Sequence, residues 1–309
     1  MTHLLEQARA LFESGEFEAA REAATEGLRS APDDLELLRI AGRAGVETGS
    51  GEAVGQLRRL TELTPDAAEA WHDMGEALAT EGRSDEAAEA FRNALDRNPD
   101  DEVALTHLGH TEFQTGHGDE GVKLLEQAAE RISGNSTADI SLVEMYRTLG
   151  QPEQALEAAV TVAAGDPTEA LYALDVAELS LQVGKLDEAT AAFAHLREIV
   201  DALKEEVCAL HGMILVELEK DDFGRALELA RDALAIDTVG QTAGVVAHLE
   251  VETGADPATG TPRNASSARL VQGVPPTRQE IDAALRGSMA ELRRFHADSN
   301  RPLGEELLG

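Results

Sequence analysis

The side chains whose type and spacing could support chemistry in this 309-residue chain are first of all histidines. His107 and His110 lie three residues apart in one predicted helix, His117 follows in a turn, and His72 lies in an earlier predicted helix. Three neutral imidazoles could coordinate zinc if they converged, and zinc-binding histidines are usually oriented by carboxylates. We favour histidines that contact a bound partner, and we predict no metal site and no cofactor.

A glycine pattern at residues 116–121 has the spacing of loops that hold a pyrophosphate (Gly116-His117-Gly118-Asp119-Glu120-Gly121). Such a loop must follow a β-strand, because the strand and the next helix together aim the backbone amides at the phosphates. Here the preceding residues predict a helix. We therefore expect these glycines to serve a turn and a close helix crossing, without phosphate binding.

No side chain stands out as a nucleophile. Cys208 is the single cysteine, and it lies in an apolar helical run where it is expected to be a small core residue. One cysteine excludes an intramolecular disulfide and a site with several thiolates. Carboxylates are so frequent that two of them close together do not indicate acid–base catalysis. We predict that the chain is not an enzyme.

The charge of the chain limits its partners. The sequence has 26 Lys and Arg against 59 Asp and Glu, a formal net charge of -33. Such a surface repels nucleic acid and anionic lipid, since binding to either requires clustered cations. The sequence has no apolar run that approaches membrane-spanning length and no signal-type segment at residues 1–6, so we expect a cytoplasmic protein. A partner with a basic face suits this charge.

The elements that must position these side chains are helices. Aromatic residues are only 3% of the chain, and alanine supplies much of the apolar content, which favours closely packed helices. Prolines at 32, 65, 99 and 167 are spaced by 33, 34 and 68 residues, a period near 34. The clearest unit has apolar and small residues at helical spacing on two helices: Trp71, Met74, Gly75 and Leu78 on the first, Ala87, Phe91 and Ala94 on the second, with Gly82 in the turn and Pro99 at the exit.

This unit resembles the tetratricopeptide repeat family, whose spacing is matched by Trp71, Gly75, Ala87, Phe91, Ala94 and Pro99. About seven such units cover residues 1–238, with a shifted register around Met213 and Ala226. The resemblance implies an all-α, right-handed superhelical solenoid of antiparallel helix pairs over residues 1–254. It also implies that the first helix of each pair lines a concave groove.

In that geometry, the resemblance places eight side chains in the groove: His72, Glu76, His107, His110, Gln114, Glu144, Arg147 and Glu178. Members of the family that bind acidic chaperone tails have Lys and Asn at such positions, whereas this chain has mostly Glu and His. We therefore expect the acidic groove to bind a basic or amphipathic polypeptide segment of a protein partner, with an affinity that falls as salt rises.

The end of the chain has a different composition. Residues 255–276 are rich in Gly, Pro, Ser and Thr without periodicity, which predicts a flexible linker. Residues 277–297 predict an amphipathic helix that begins with a Thr277–Glu280 capping box, and residues 298–309 form a tail. The apolar stripe and the arginines of this helix are Ile281, Leu285, Met289, Leu292 and Phe295, with Arg278, Arg286, Arg293 and Arg294.

Two roles for this helix remain open. It could cap the exposed apolar face of the last solenoid helix, or it could be a recruiting element that meets an acidic groove in the same or another molecule, including a second copy of the chain. The tail could likewise be frayed or be a short docking peptide. The sequence thus predicts an interaction scaffold or adaptor. The alternative is a regulatory or accessory subunit of an enzyme assembly that uses the C-terminal helix or tail as its contact element.

Overall fold

The computed structural model describes residues 2–131, 137–238, 240, 242–254 and 276–299, and in these ranges it contains helices and no strand. The predicted linker (255–276) lies outside these ranges except for Pro276, and the predicted tail (298–309) lies outside them from residue 300 onward. The helices are α1 (Thr2–Glu13), α2 (Phe17–Leu28), α3 (Leu35–Glu47), α4 (Ala53–Leu63), α5 (Ala68–Thr80), α6 (Ser84–Arg97), α7 (Glu102–Gln114), α8 (Gly118–Arg131), α9 (Thr137–Thr148), α10 (Pro152–Gly165), α11 (Ala170–Gln182), α12 (Leu186–Ile199), α13 (Leu203–Glu219), α14 (Phe223–Ile236), α15 (Thr242–Thr253) and α16 (Arg278–Ser299).

The chain divides into two compact units, with the boundary between Met145 and Tyr146 inside α9. In the first unit, the pairs α1–α2, α3–α4, α5–α6 and α7–α8 pack side by side, and each first helix also contacts the first helix that follows or precedes it. In the second unit, α10 packs on α11, the pairs α11–α12 and α13–α14 follow, and α15 packs on α14. Odd-numbered helices up to α15 are the first helices of their repeats.

A glycine with positive φ ends the turn inside six successive pairs. Gly82 has φ 73°, and the others follow at spacings of 33 or 34 residues: Gly15, Gly49, Gly116, Gly150 and Gly184. Because only glycine adopts a left-handed backbone conformation at little cost, a glycine recurs at this turn once in every repeat. In the seventh pair Asp221 takes this conformation with φ 58°, and α13 has 17 residues, which explains the shifted register expected around Met213.

Close helix crossings explain the remaining glycines of the pattern. A Cβ added at Gly75 would lie 2.5 Å from the ring of Phe91, so α5 and α6 approach through this glycine. A Cβ added at Gly121 would lie 2.6 Å from the carbonyl oxygen of Gly109. Gly116 is in a turn and Gly118 begins α8, so the glycine pattern falls on the turn between two repeat helices.

The core of the second unit includes the C-terminal helix. Ile281, Leu285, Met289 and Leu292 of α16 belong to the same buried cluster as Leu210 and the other apolar side chains of α11, α13, α14 and α15. In the described ranges, no helix is long and apolar enough to cross a lipid bilayer.

Candidate functional site

The helix α16 begins with a reciprocal cap. The Thr277 backbone amide donates to Glu280 Oε2 at 2.8 Å, and the Glu280 amide donates to Thr277 Oγ1 at 3.3 Å. Just before it, the carbonyl of Pro276 lies 2.8 Å from Nδ1 of His248 on α15. These bonds set where α16 starts and hold its first turn against the repeat helices.

The apolar stripe of α16 lies along first helices of the second unit. The helix packs mainly against α13 and also contacts α11 and α15. Ile281, Leu285, Met289 and Leu292 are between 0% and 3% exposed. Burial of four such side chains stabilises the contact by about 6–12 kcal/mol as an upper bound. Apolar packing therefore supplies most of the stabilisation of this helix.

A cluster of charged side chains between α16 and α11 orients the packed helix. The Arg293 guanidinium of α16 donates to both Asp175 and Glu178 on α11. Nη2 of Arg147 lies 2.8 Å from Asp175 Oδ1 and 3.8 Å from Glu178 Oε2, so two arginines share two carboxylates. Burial lowers the pKa of Arg293, but the two carboxylates outweigh this and the pKa is raised overall. Arg293 is therefore a charged side chain seated in an acidic pair.

The residues predicted to form a recruiting group have different surroundings. Arg293 faces the array, whereas Arg286 pairs with Asp282 of its own helix at 2.8 Å. Arg278 lies 3.8 Å from Glu219, and Arg294 is exposed. Phe295, which we placed on the apolar stripe, is 56% exposed. One arginine of the four therefore contacts a residue predicted to line the groove.

Cys208 lies beneath α16. It is 1% exposed and belongs to the cluster that the stripe of α16 completes. Burial raises the pKa of its thiol to about 12, the charge of Glu178 adds to this, and the hydroxyl of Ser288 on α16 opposes it. The thiol is core, as predicted from the sequence, and it is a natural reporter of whether α16 is in place.

A second group of candidate residues lies between α5 and α7 in the first unit. Nδ1 of His72 is 3.8 Å from one oxygen of Glu76, and Nδ1 of His107 is 3.7 Å from the other. The two imidazole rings stack with centroids 5.1 Å apart, and the Phe91 ring contacts both. Two imidazoles thus flank one carboxylate.

Burial and neighbouring charges set the protonation of this group. Burial, together with the nearby His72 and His110, lowers the pKa of His107 to about 4. Burial also lowers the pKa of His72, but Asp73 and Glu76 outweigh this and raise it overall. Burial raises the pKa of Glu76. At neutral pH, His107 is therefore a neutral imidazole.

The four histidines discussed from the sequence do not converge as a set. His110 Nε2 lies 2.8 Å from Ser141 Oγ, and His117 is exposed with its Nδ1 3.0 Å from Glu112. Gln114 is exposed at the end of α7, and Glu144 is exposed on α9. A carboxylate, Glu76, takes the place between His72 and His107 that a third histidine would need.

Comparison with known protein families identifies the repeat. Two tetratricopeptide repeat family models match the sequence, one at residues 5–53 and 49–102 and the other at 78–138. The chain carries tetratricopeptide repeats. The expected all-α fold of about seven helix pairs is confirmed, with pairs α1–α2 to α13–α14 in the part of the chain that the structure describes.

Solved tetratricopeptide structures show the same fold. The C-terminal part of a TPR repeat-containing protein from Cytophaga hutchinsonii has a TM-score of 0.65 and 15% identity, covering 77% of this chain and 98% of the other. A tetratricopeptide repeat protein from Parabacteroides merdae has a TM-score of 0.53 and 14% identity, covering 81% and 98%. YrrB, described as a TPR protein with an unusual peptide-binding site, has a TM-score of 0.51 and 18% identity, covering 62% and 97%. No curated protein matches the sequence.

The repeat register reveals two site residues that the sequence analysis missed, Asp73 and Asp175, beside the predicted Glu76 and Glu178. Asp175 and Glu178 stand three repeats of 34 residues after Asp73 and Glu76, so both acidic pairs occupy the same two positions of a first tetratricopeptide helix. Asp73 is only 3% exposed, and its carboxylate accepts a hydrogen bond from Arg39 at 2.8 Å. The sequence signal that could have identified these residues is a carboxylate that recurs, in register with the repeat, on the inner side of a first helix.

Proposed function

We propose that this tetratricopeptide protein is an interaction scaffold that binds an amphipathic, arginine-bearing helix of a partner protein on the first-helix face of α11 and α13. One observation carries the proposal: α16 itself is such a helix, and it lies on this face with Arg293 between Asp175 and Glu178. The chain thus contains an example of the ligand class that the face accepts.

The face offers two kinds of recognition. Its apolar part accepts side chains at the spacing of Ile281, Leu285, Met289 and Leu292, the i, i+4 and i+3 anchors of a helix lying in a groove. Its acidic pair requires an arginine next to the last anchor. An amphipathic helix without this arginine would leave the buried Asp175 and the mostly buried Glu178 with Arg147 as their one cationic partner among the described residues. The acidic pair therefore selects the sequence and the direction of the bound helix.

A partner helix must exchange with α16. Because α16 belongs to the same chain, its binding is intramolecular, and a partner helix must compete with it. This competition excludes partners that bind weakly. A partner that displaces α16 releases this helix and its exposed arginines. The peptide-binding site named for YrrB is a property of that protein, and it supports polypeptide as the class of ligand to test here.

The proposal is tested with a labelled peptide of residues 276–299 added to the full chain. We expect weak binding to the native chain. We expect binding at least about tenfold tighter to Leu285→Asp, because a carboxylate in the buried stripe releases the attached helix. Arg286→Ala is the matched control, since Arg286 pairs only with Asp282 of its own helix among the described contacts, and it should bind the peptide as the native chain does.

Two further measurements locate the bound peptide. A peptide in which Arg293 is replaced by alanine should bind Leu285→Asp at least about tenfold more weakly, because it leaves the acidic pair without its arginine. Modification of Cys208 by a thiol reagent should be fast in Leu285→Asp and slow again when the peptide is bound. Circular dichroism of each variant checks that the repeat helices are folded.

The proposal fails if neither peptide binds the released chain, or if both bind with equal affinity and leave Cys208 reactive. Salt provides an independent check on the acidic pair. Affinity of the native peptide should fall between low and high salt, since a Debye length of about 8 Å at physiological ionic strength screens partly exposed charges. Affinity that does not respond to salt would contradict a role for the acidic pair.

A further inference from the structure

Three potential metal ligands converge on the first-helix face of the first unit, whereas the helix-binding face proposed above belongs to the second unit. His72 and Glu76 lie four residues apart on α5 and therefore on the same helix face, and His107 faces them from α7. One nitrogen from each ring and one carboxylate oxygen all lie within 4.8 Å of one another. The group joins two successive repeats.

The distances in this group are too long for hydrogen bonds. The Nδ1 atoms of His72 and His107 are 3.8 and 3.7 Å from the oxygens of Glu76, whereas an N–H···O bond has a donor–acceptor distance of about 2.7–3.2 Å. Nε2 of His72 is buried without a hydrogen-bond partner. The polar atoms of the group therefore face one another without satisfying one another.

We propose that His72, Glu76 and His107 bind one zinc-class divalent cation. Two nitrogens and one oxygen about 2.1 Å from a tetrahedral ion lie about 3.4 Å from one another. The separations found here range up to 4.8 Å, so rotation of the three side chains must bring the ligand atoms closer by as much as about 1.4 Å. Two ligands at i and i+4 on one helix with a third from a neighbouring element is an arrangement that zinc sites use.

The surroundings suit such an ion. The side chains of His72, Glu76 and His107 are 16%, 32% and 34% exposed, so an ion can enter and a solvent molecule can complete its coordination. Imidazole nitrogen favours zinc and its transition-metal neighbours over calcium and magnesium, which prefer oxygen ligands. A second carboxylate, Asp73, lies 4.0 Å from His72 Nδ1 but is already paired with Arg39.

The charge balance also favours a cation. Glu76 stands at the repeat position of Glu178, which binds Arg293, but no arginine reaches Glu76 to within 4 Å in the described residues. Zinc supplies the positive charge that Arg293 supplies in the second unit. An arginine of a partner is the competing occupant, and metal titration separates the two.

The experiment uses the full chain after treatment with a chelator. Calorimetry with zinc chloride should show one ion bound per chain at micromolar metal, and cobalt(II) should give the visible absorption of a tetrahedral site with nitrogen and oxygen ligands. Glu76→Gln and His107→Ala should each weaken zinc binding by at least about tenfold. His110→Ala and His117→Ala are matched controls, since these side chains contact Ser141 and Glu112, and they should bind zinc as the native chain does.

Absence of zinc binding at micromolar metal overturns the proposal. Unchanged affinity in the Glu76→Gln, His107→Ala double variant also overturns it, because the ion would then be elsewhere. If His107→Ala loses helical circular dichroism, His107→Phe replaces it and keeps the ring stacked against Phe91 and His72. Peptide binding to the second unit depends on none of these residues, so failure here leaves the proposed function standing.

Discussion

Replacing Gly75 with alanine should destabilise the α5–α6 repeat, although alanine is the better helix former. The added Cβ would lie 2.5, 2.7 and 2.8 Å from three atoms of the Phe91 ring, where ordinary carbon contacts are about 3.5–4.0 Å. Phe91 is 1% exposed and also contacts the rings of His72 and His107. The ring must therefore move by about 1 Å in a packed core.

The two opposing effects can be compared. Overpacking of this kind costs about 1–3 kcal/mol, and replacement of a helical glycine by alanine returns up to about 1 kcal/mol. We expect a net loss of about 1–2 kcal/mol in the free energy of unfolding of this repeat. Gly75→Leu adds further atoms to the same space and should lose more.

The assay can be confined to this repeat, because Trp71 is the single tryptophan and lies on α5. Its indole Nε1 donates to the Pro65 carbonyl at 2.9 Å, and Arg97 lies over its ring at 5.0 Å. Tryptophan fluorescence during urea unfolding therefore reports the α5–α6 repeat, while circular dichroism reports all helices. The fluorescence midpoint should fall in Gly75→Ala.

A matched control separates packing from helix propensity. Gly55 is helical and exposed on α4, and a Cβ added there meets no atom within 4 Å. Gly55→Ala should leave stability unchanged or raise it by up to about 1 kcal/mol. A midpoint in Gly75→Ala equal to or above that of Gly55→Ala would refute the reasoning, because it would mean that the Phe91 ring does not fill the space above Gly75.

Two further predictions concern the second unit. His211 is 1% exposed and its Nε2 lies 2.9 Å from Thr242 Oγ1; burial lowers its pKa to about 4, below its ordinary value, so the unfolded chain takes up the proton first as pH falls. The stability that the neutral ring contributes is present above about pH 6.5 and is lost towards pH 4. Urea unfolding of the native chain should therefore show that the free energy of unfolding falls by about 2 kcal/mol between pH 7 and pH 5, and His211→Asn should lack this fall. An equal pH slope in both proteins would contradict this. Thr277→Ala removes the cap of α16, which costs about 1 kcal/mol. If the Cys208 thiol reacts through opening of α16, this variant should be modified about fivefold faster than the native chain. An unchanged rate would show that α16 does not control access to the thiol.

Much of the fold follows from local patterns. The turn glycine Gly82 and the crossing glycine Gly75 recur with the repeat period, and each does its work within a window of about 34 residues. The capping box of Thr277 and Glu280 is likewise local, and its two hydrogen bonds are present. Such features depend on backbone conformation and helix periodicity, which the order of residues determines by itself.

The tertiary structure decided where α16 lies and which charged groups meet. Arg293 and Asp175 are 118 residues apart, and no spacing rule joins them. The sequence has 59 acidic residues, and only the packing of α16 shows that Asp175 and Glu178 are the two that receive Arg293. The same holds for Glu76, which meets His72 through helix periodicity but meets His107 only because α7 packs against α5. Local periodicity places a side chain on a helix face, and packing between helices determines what that face contacts.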